Sequence, residues 1–201
     1  MKFTGMKIGF ALTGSHCTIA DVIPYFKLFR EEGAEIIPIL SPTVRSTDSR
    51  YGKAEDLYQK IYFLTEQEPL TTLLEVEPIG PQKLLDILLV APCTGNTLAK
   101  VALSITDTCV TLACKAQLRN NRPVVLAIST NDGLSANARN LGTLLNRKHI
   151  YFVPFGQDAP QSKQASLIAK MSLIPETILE ALEGRQLQPL LVSPITIGKG
   201  L

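Results

Sequence analysis

The chain contains no tryptophan, only two histidines and only four cysteines in 201 residues. The cysteines, Cys17, Cys93, Cys109 and Cys114, form no C-x-x-C pair, which excludes a zinc knuckle and a thioredoxin motif. With His16 and His149 far apart, no metal-ligand spacing is present and no metal site is expected. Charge of one sign is also missing: 20 Lys and Arg stand against 18 Asp and Glu. A net charge of +2 leaves no electrostatic footprint for nucleic acid or an anionic membrane. No apolar run approaches the roughly 20 residues of a membrane helix. The first run, Ile8 to Leu12, flows into Gly14-Ser15 without the features of a signal peptide. A soluble cytoplasmic protein is expected, with its thiols reduced.

What is present is a 45% hydrophobic chain, enough for one sizeable core. We read residues 1–184 as one domain and 185–201 as a tail with two prolines and two glycines. Strand-like and helix-like periods alternate. Strands are expected at Lys7–Leu12, Glu35–Leu40, Asp86–Ala91, Pro123–Ser129 and Ile150–Val153. Helices are expected at 18–32, 95–104, 107–119, 135–146 and 164–183, and a short one follows the polar loop after Leu40. Thr18 and Asp21 look like a capping box, Pro24 interrupts the first helix and Gly33 stops it. "ILLVA", apolar on both faces, suits a central parallel strand. The fold class is α/β: a three-layer, Rossmann-like or flavodoxin-like open parallel sheet with helices on both faces.

In such sheets ligands bind beyond the carboxyl ends of the strands. Four strand ends open into "TGSHCT", "SPTVRST", "PCTGNT" and "STNDGLSAN". One such cluster is a turn or a helix cap. Four on one edge suggest a shared pocket in which helix N-termini and hydroxyls hold a phosphate. A nucleotide triphosphatase is disfavoured, because Ser15-His16 stands where a P-loop needs Lys and Ser or Thr. Ordinary NAD binding is disfavoured, because there is no G-x-G-x-x-G.

"KIGFALTGS", "APCTGNTLAKVA" and "PVVLAISTN", in that order, resemble the flavoprotein family of flavin-containing cysteine decarboxylases and phosphopantothenoylcysteine decarboxylases. The likeness spans most of residues 6 to 155. It implies FMN, with its phosphate on Gly14, Ser15, Thr94, Asn96 and Thr97, and with Ser41 and Thr43 flanking its ribityl chain or phosphate. It makes Asn131 the substrate-side asparagine. It also implies a homo-oligomer, a trimer or a dodecamer, with the "CVTLACKA" helix and the tail as candidate contacts. Residues 41 to 52 lack the histidine that those decarboxylases carry, which disfavours peptidyl-cysteine decarboxylation.

"ILSPTVRSTDSRYG" and "STNDGLSANARNLG" are similar to one branch of the family more than to the rest. That branch implies an oxidoreductase subunit working on a small pyridine dicarboxylate of spores, with a separate NADP-dependent subunit as partner. A flavin-dependent decarboxylase of a small acid and a non-catalytic substrate-binding partner are the alternatives. The catalytic residue is unknown from sequence. Arg45 and Arg50 are candidates as bidentate carboxylate clamps, with Asn131. Arg139, Asn137, Ser135 and Cys17 are weaker candidates.

Overall fold

The computed structural model describes residues 1–194. The chain runs β1 (Lys7–Leu12), α1 (His16–Glu31), β2 (Glu35–Leu40), α2 (Pro42–Ser46), α3 (Ala54–Thr65), α4 (Leu73–Val76), β3 (Ile87–Cys93), α5 (Gly95–Ala102), α6 (Cys109–Arg119), β4 (Val124–Thr130), α7 (Ala138–Leu145), β5 (Ile150–Phe152), β6 (Phe155–Gln157), β7 (Leu167–Ala169) and α8 (Ile174–Leu182). The part of the tail from residue 195 onward lies outside the described residues.

β3 is buried at every position, as a strand covered on both faces must be. β1, β2, β3, β4 and β5 are parallel, in the spatial order β2-β1-β3-β4, with β5 beside the first half of β4. The chain leaves β1 in one direction to form β2, then returns to form β3 on the other side. That reversal opens a crevice at the carboxyl ends of β1 and β3. The core is continuous across the sheet. Phe10 of β1 stacks on Phe26 of α1 with ring centroids 4.0 Å apart, and Phe3 meets Phe29 edge-on at 4.9 Å.

Two features differ from the expectation. The sheet is mixed: β7 pairs antiparallel with Ser129 and Thr130 at the end of β4, and β6 pairs antiparallel with β7. Residues 164–173 are therefore not α-helix. The run "SLIAKMSLI" is apolar enough for either state, and at this length periodicity does not separate a buried strand from a buried helix. Pro175 carried the missed signal, since proline belongs in a helix's first turn, and α8 begins at Ile174. The tail packs against the new strands. Phe155 N–H donates to Leu190 O, Val192 N–H donates to Phe155 O, and the Gln186 amide bridges the backbone of Phe152.

α1 starts earlier than its capping-box pattern suggested. Ser15 is its N-cap residue, and the Thr18 hydroxyl turns back to donate to Ser15 O at 2.9 Å. Gly33, at φ +91°, lets the chain leave α1 where a Cβ would be strained. α6 does not offer the contact surface expected of it. Cys109, Val110, Ala113, Cys114, Ala116 and Gln117 are all buried within this chain's own core. Four of the large apolar side chains left exposed lie on α3 and α4, at Tyr62, Phe63, Leu73 and Leu74; others are scattered, among them Leu28, Leu103, Leu134, Leu145 and, in the tail, Leu191.

Phe26→Ala removes the stacked partner of Phe10 from a site with no solvent exposure. It should cost about 3–5 kcal/mol of unfolding free energy, measured by denaturant titration.

Candidate functional site

The four polar clusters meet. Thr13, at the end of β1, is buried; its hydroxyl donates to Pro92 O at 2.7 Å and accepts from Thr94 N–H at 2.9 Å. Ser15 shares a 2.8 Å hydrogen bond with Ser129 at the end of β4. The Thr18 hydroxyl lies 2.9 Å from Ser15 Oγ and 3.2 Å from Ser129 Oγ, closing a triangle of hydroxyls. A Cβ on Gly14 would fall 2.9 Å from Thr43 Cγ2, so glycine is needed where the turn after β1 meets the start of α2. Ser41 N–H donates to Leu12 O, tying β2's end to β1's.

Two of the candidate hydroxyls act as caps. Thr94 accepts from Thr97 N–H at 3.3 Å at the start of α5, and Ser41 accepts from Val44 N–H at 3.4 Å at the start of α2. Thr97 is buried beneath Thr94, whereas Asn96 and Thr43 are exposed. α1 is different. Ser15 makes no side-chain cap, because its hydroxyl is engaged with Ser129 and Thr18, and the first turn carries no acid. The N-terminal end of α1 is therefore an uncapped positive dipole end at the crevice.

The N-terminal end of α5 already faces an internal anion. Asp132, just beyond β4, accepts from the Asn137 amide at 2.9 and 2.8 Å and from the Thr130 hydroxyl. Asn140 in turn donates to Asn137 Oδ1 at 2.8 Å. A Cβ on Gly95 would fall 2.5 Å from Thr130 Oγ1 and 2.7 Å from both Asn137 Nδ2 and Asp132 Oδ1. Thr13, Ser129 and Asp132 lie within the quoted clusters but were not singled out as site residues from sequence. Only the pattern of a carboxylate directly after Asn131, followed by a helix, could have pointed to Asp132. This network also delays α7: residues 132–137 form turns whose N–H groups bond Asp132 O, so the helix starts at Ala138 rather than Ser135.

The arginine candidates are engaged elsewhere. Arg45 bonds Glu55 at 3.0 Å and lies 4.6 Å over the Tyr58 ring. Arg50 donates to the Tyr51 hydroxyl at 2.7 Å and stacks over the same ring. Asn131 and Arg139 are exposed. Among the cysteines, Cys17 is exposed on the first turn of α1, while burial pushes the thiols of Cys109 up to about 11 and Cys114 up to about 12. Cys93, fully buried behind Thr94, is pushed up further by the same desolvation.

Beside the hydroxyls a cleft of about 270 Å³ opens between α1, α2, α3 and the turn at 49–52. His16 lines it, and His16 Nε2 is buried without a hydrogen-bond partner.

Gly95→Ala drives a methyl group into three polar atoms of the Asp132 network. A loss of about 1–3 kcal/mol in denaturant stability is expected; an unchanged midpoint would mean that the network gives way freely.

Comparison with known proteins places this arrangement. The Flavoprotein family matches residues 2–183. The B subunit of dipicolinate synthase from Bacillus subtilis (strain 168) is 48% identical over 188 residues, 94% of each chain. The crystal structure of the corresponding dipicolinate synthase B subunit from Bacillus halodurans C superposes with a TM-score of 0.89 at 45% identity, covering 97% of this chain and 100% of that one. Burkholderia xenovorans DmrB, a cubic protein cage for redox transfer solved in complex with FMN, shares the fold at a TM-score of 0.64. It is 17% identical, over 89% of this chain and 96% of its own. The α/β sheet, the crevice at β1 and β3 and these matches agree, and the chain belongs to the Flavoprotein family.

Proposed function

We propose that this chain is the B subunit of a dipicolinate synthase, acting in the cytoplasm with a separate A subunit to convert dihydrodipicolinate, or its hydrated precursor, to dipicolinate. The observation that carries the reading is the 48% identity sustained over 94% of both chains. FMN is the proposed cofactor here, with NADP entering through the A subunit.

The residues present fit a flavin phosphate on physical grounds. α1 presents an uncapped first turn, Gly14 lets the turn after β1 close against Thr43, and hydroxyls from three strand ends converge beside them. Gly14 and Ser15 would hold the phosphate, with Thr94, Asn96 and Thr97 on the α5 side and Ser41 and Thr43 on the α2 side. Asp132 sits against α5, which makes α1 the stronger anion site of the two. When bound, FMN supplies an acceptor for a hydride. The chain's own task is to hold the substrate and the cofactor and to exclude water. Asn131, exposed just beyond β4, would donate a hydrogen bond to substrate. Arg45 and Arg50 can serve as carboxylate clamps by exchanging their present partners. Both pairs are partly exposed, and such interactions are worth at most about 1 kcal/mol. The oxidation of a dihydropyridine removes a hydride and a proton, and the aromatic product supplies the driving force. A histidine base like that of the decarboxylases is not required. Assembly into a homo-oligomer, a trimer or a dodecamer, is part of the same proposal, with the exposed side chains of α3 and α4 as the apolar surface to cover.

The first test is the visible absorption spectrum of the purified protein before and after FMN is added. Tight uptake with quenched flavin fluorescence is expected. The Thr94→Ala/Asn96→Ala variant should lose flavin retention while remaining folded, at a cost of about 1 kcal/mol for the lost cap. Absence of uptake by the wild-type chain would sink the flavin reading, and unfolding of the variant would reduce Thr94 to its capping role.

A further inference from the structure

The cleft beside the hydroxyls has the chemistry of a binding site of its own. Its walls are largely apolar: Ile19 and Ile23 from one face of α1, Val44 from α2 and Leu57 from α3. None of the proposed phosphate residues lines it. Its rim carries Lys53 and Lys60 against a single acid, Asp56. Among the described residues neither lysine has a salt-bridge or hydrogen-bonding partner for its ammonium group, as is also true of Lys2, Lys83, Lys115, Lys148 and Lys170; what sets this pair apart is that both line one cleft. His16 Nε2 is buried and unpartnered in the wall nearest the crevice. Buried polar groups in native structures ordinarily find partners, and this nitrogen has none in the present orientation of the ring.

These three features define one kind of occupant. Opposed aliphatic walls suit a flat, unsaturated ring. Two unpaired ammonium groups at the mouth suit carboxylate, and an unpartnered imidazole nitrogen suits a ring or carboxylate heteroatom reached by rotation of the imidazole. A volume of about 270 Å³ is at the small end for ligand pockets, fitting one substituted ring rather than a dinucleotide. The geometry points to this cleft as a binding site for a single-ring carboxylate, with Lys53 and Lys60 holding the anion and His16 reading the ring. The identity of that carboxylate as a pyridine dicarboxylate rests on the proposed function; the site itself does not.

The chain's two histidines make the test direct. Protein with isotope-labelled imidazoles is titrated with pyridine-2,6-dicarboxylate and followed by NMR. His149 lies before β5, away from the carboxyl ends of the strands, and serves as the internal control. The His16 resonances should shift saturably while those of His149 stay in place. Lys53→Ala/Lys60→Ala should weaken the apparent affinity by about tenfold, the scale of one charge-assisted contact. Ala20 lines the cleft from an exposed helical position, so Ala20→Leu fills the space without disturbing the core and should abolish the shift. Thermal unfolding of each variant confirms the fold. A silent His16 overturns the site, even if calorimetry detects dicarboxylate binding elsewhere, an outcome that leaves the proposed function standing. A His16 shift that survives Ala20→Leu, or that FMN alone displaces completely, also overturns it, the latter by making the cleft the flavin's. A His16 shift in a protein that takes up no FMN supports the site and counts only against the flavin.

Discussion

The hydroxyl of Thr13 joins the ends of the two central strands. β3 contains Pro92, which has no N–H for the ladder, and the register of β3 against β4 slips between Val90 and Cys93. At that interruption Thr13 donates to the Pro92 carbonyl and accepts from the Thr94 N–H. One side chain thereby satisfies a carbonyl and an amide that the sheet leaves open, at a point with 1% solvent exposure. The same bonds fix where the turn after β1 sits relative to the start of α5. Gly14, Ser15 and the first turn of α1 take their positions from it. So does Thr94, which can cap α5 because its own N–H is already held.

A crevice built this way favours anions unevenly. α5 has an internal carboxylate, Asp132, against its first residue, kept in place by Asn137 and Thr130. A second anion brought to that helix end would meet repulsion along with the dipole. α1 has no acid in its first turn and no side-chain cap, because Ser15 is committed to Ser129 and Thr18. The hydroxyl triangle thus does two things at once. It locks β4 to α1, and it leaves the α1 dipole free. Gly95 allows the arrangement, since any side chain there would push Asp132 away from α5.

Much of this architecture was legible in the chain. β1 and β2 have the bounds that apolar runs ending in Gly-Ser and Ser-Pro announced, because a buried strand must end where polar turn residues begin. The meeting of four strand ends followed from topology, since parallel strands deliver all their carboxyl ends to one edge. What stayed hidden depended on pairs of residues distant in sequence. Thr13 gains its role from Pro92, 79 residues away, and Ser15 from Ser129, 114 residues away. Arg45 reads as a free clamp until α3 folds back to bring Glu55 and Tyr58 against it. β6 and β7 are three residues each, too short for a period to declare itself, and their pairing comes from the end of β4 rather than from local preference.

The distribution of ionisable groups bears on what kind of chemistry the crevice supports. The side chains that converge on it are hydroxyls and amides, and its one carboxylate, Asp132, already accepts three hydrogen bonds. A reaction needing a strong base at the crevice would be poorly served by such a set. Hydride removal driven by aromatisation asks for less: a ring held flat, its carboxylates neutralised and an acceptor at a fixed distance. Under the proposed reading those demands divide between neighbouring features. The neutral donors at the ends of β1, β3 and β4 suit the cofactor phosphate, and the unpaired lysines across α1 suit the substrate. α1 lies between the two and contributes to both, its N-terminal end to one and its Ile19–Ile23 face to the other. A helix shared in this way would hold cofactor and substrate at one separation, and proximity of that kind lowers a barrier without a strong base at the crevice.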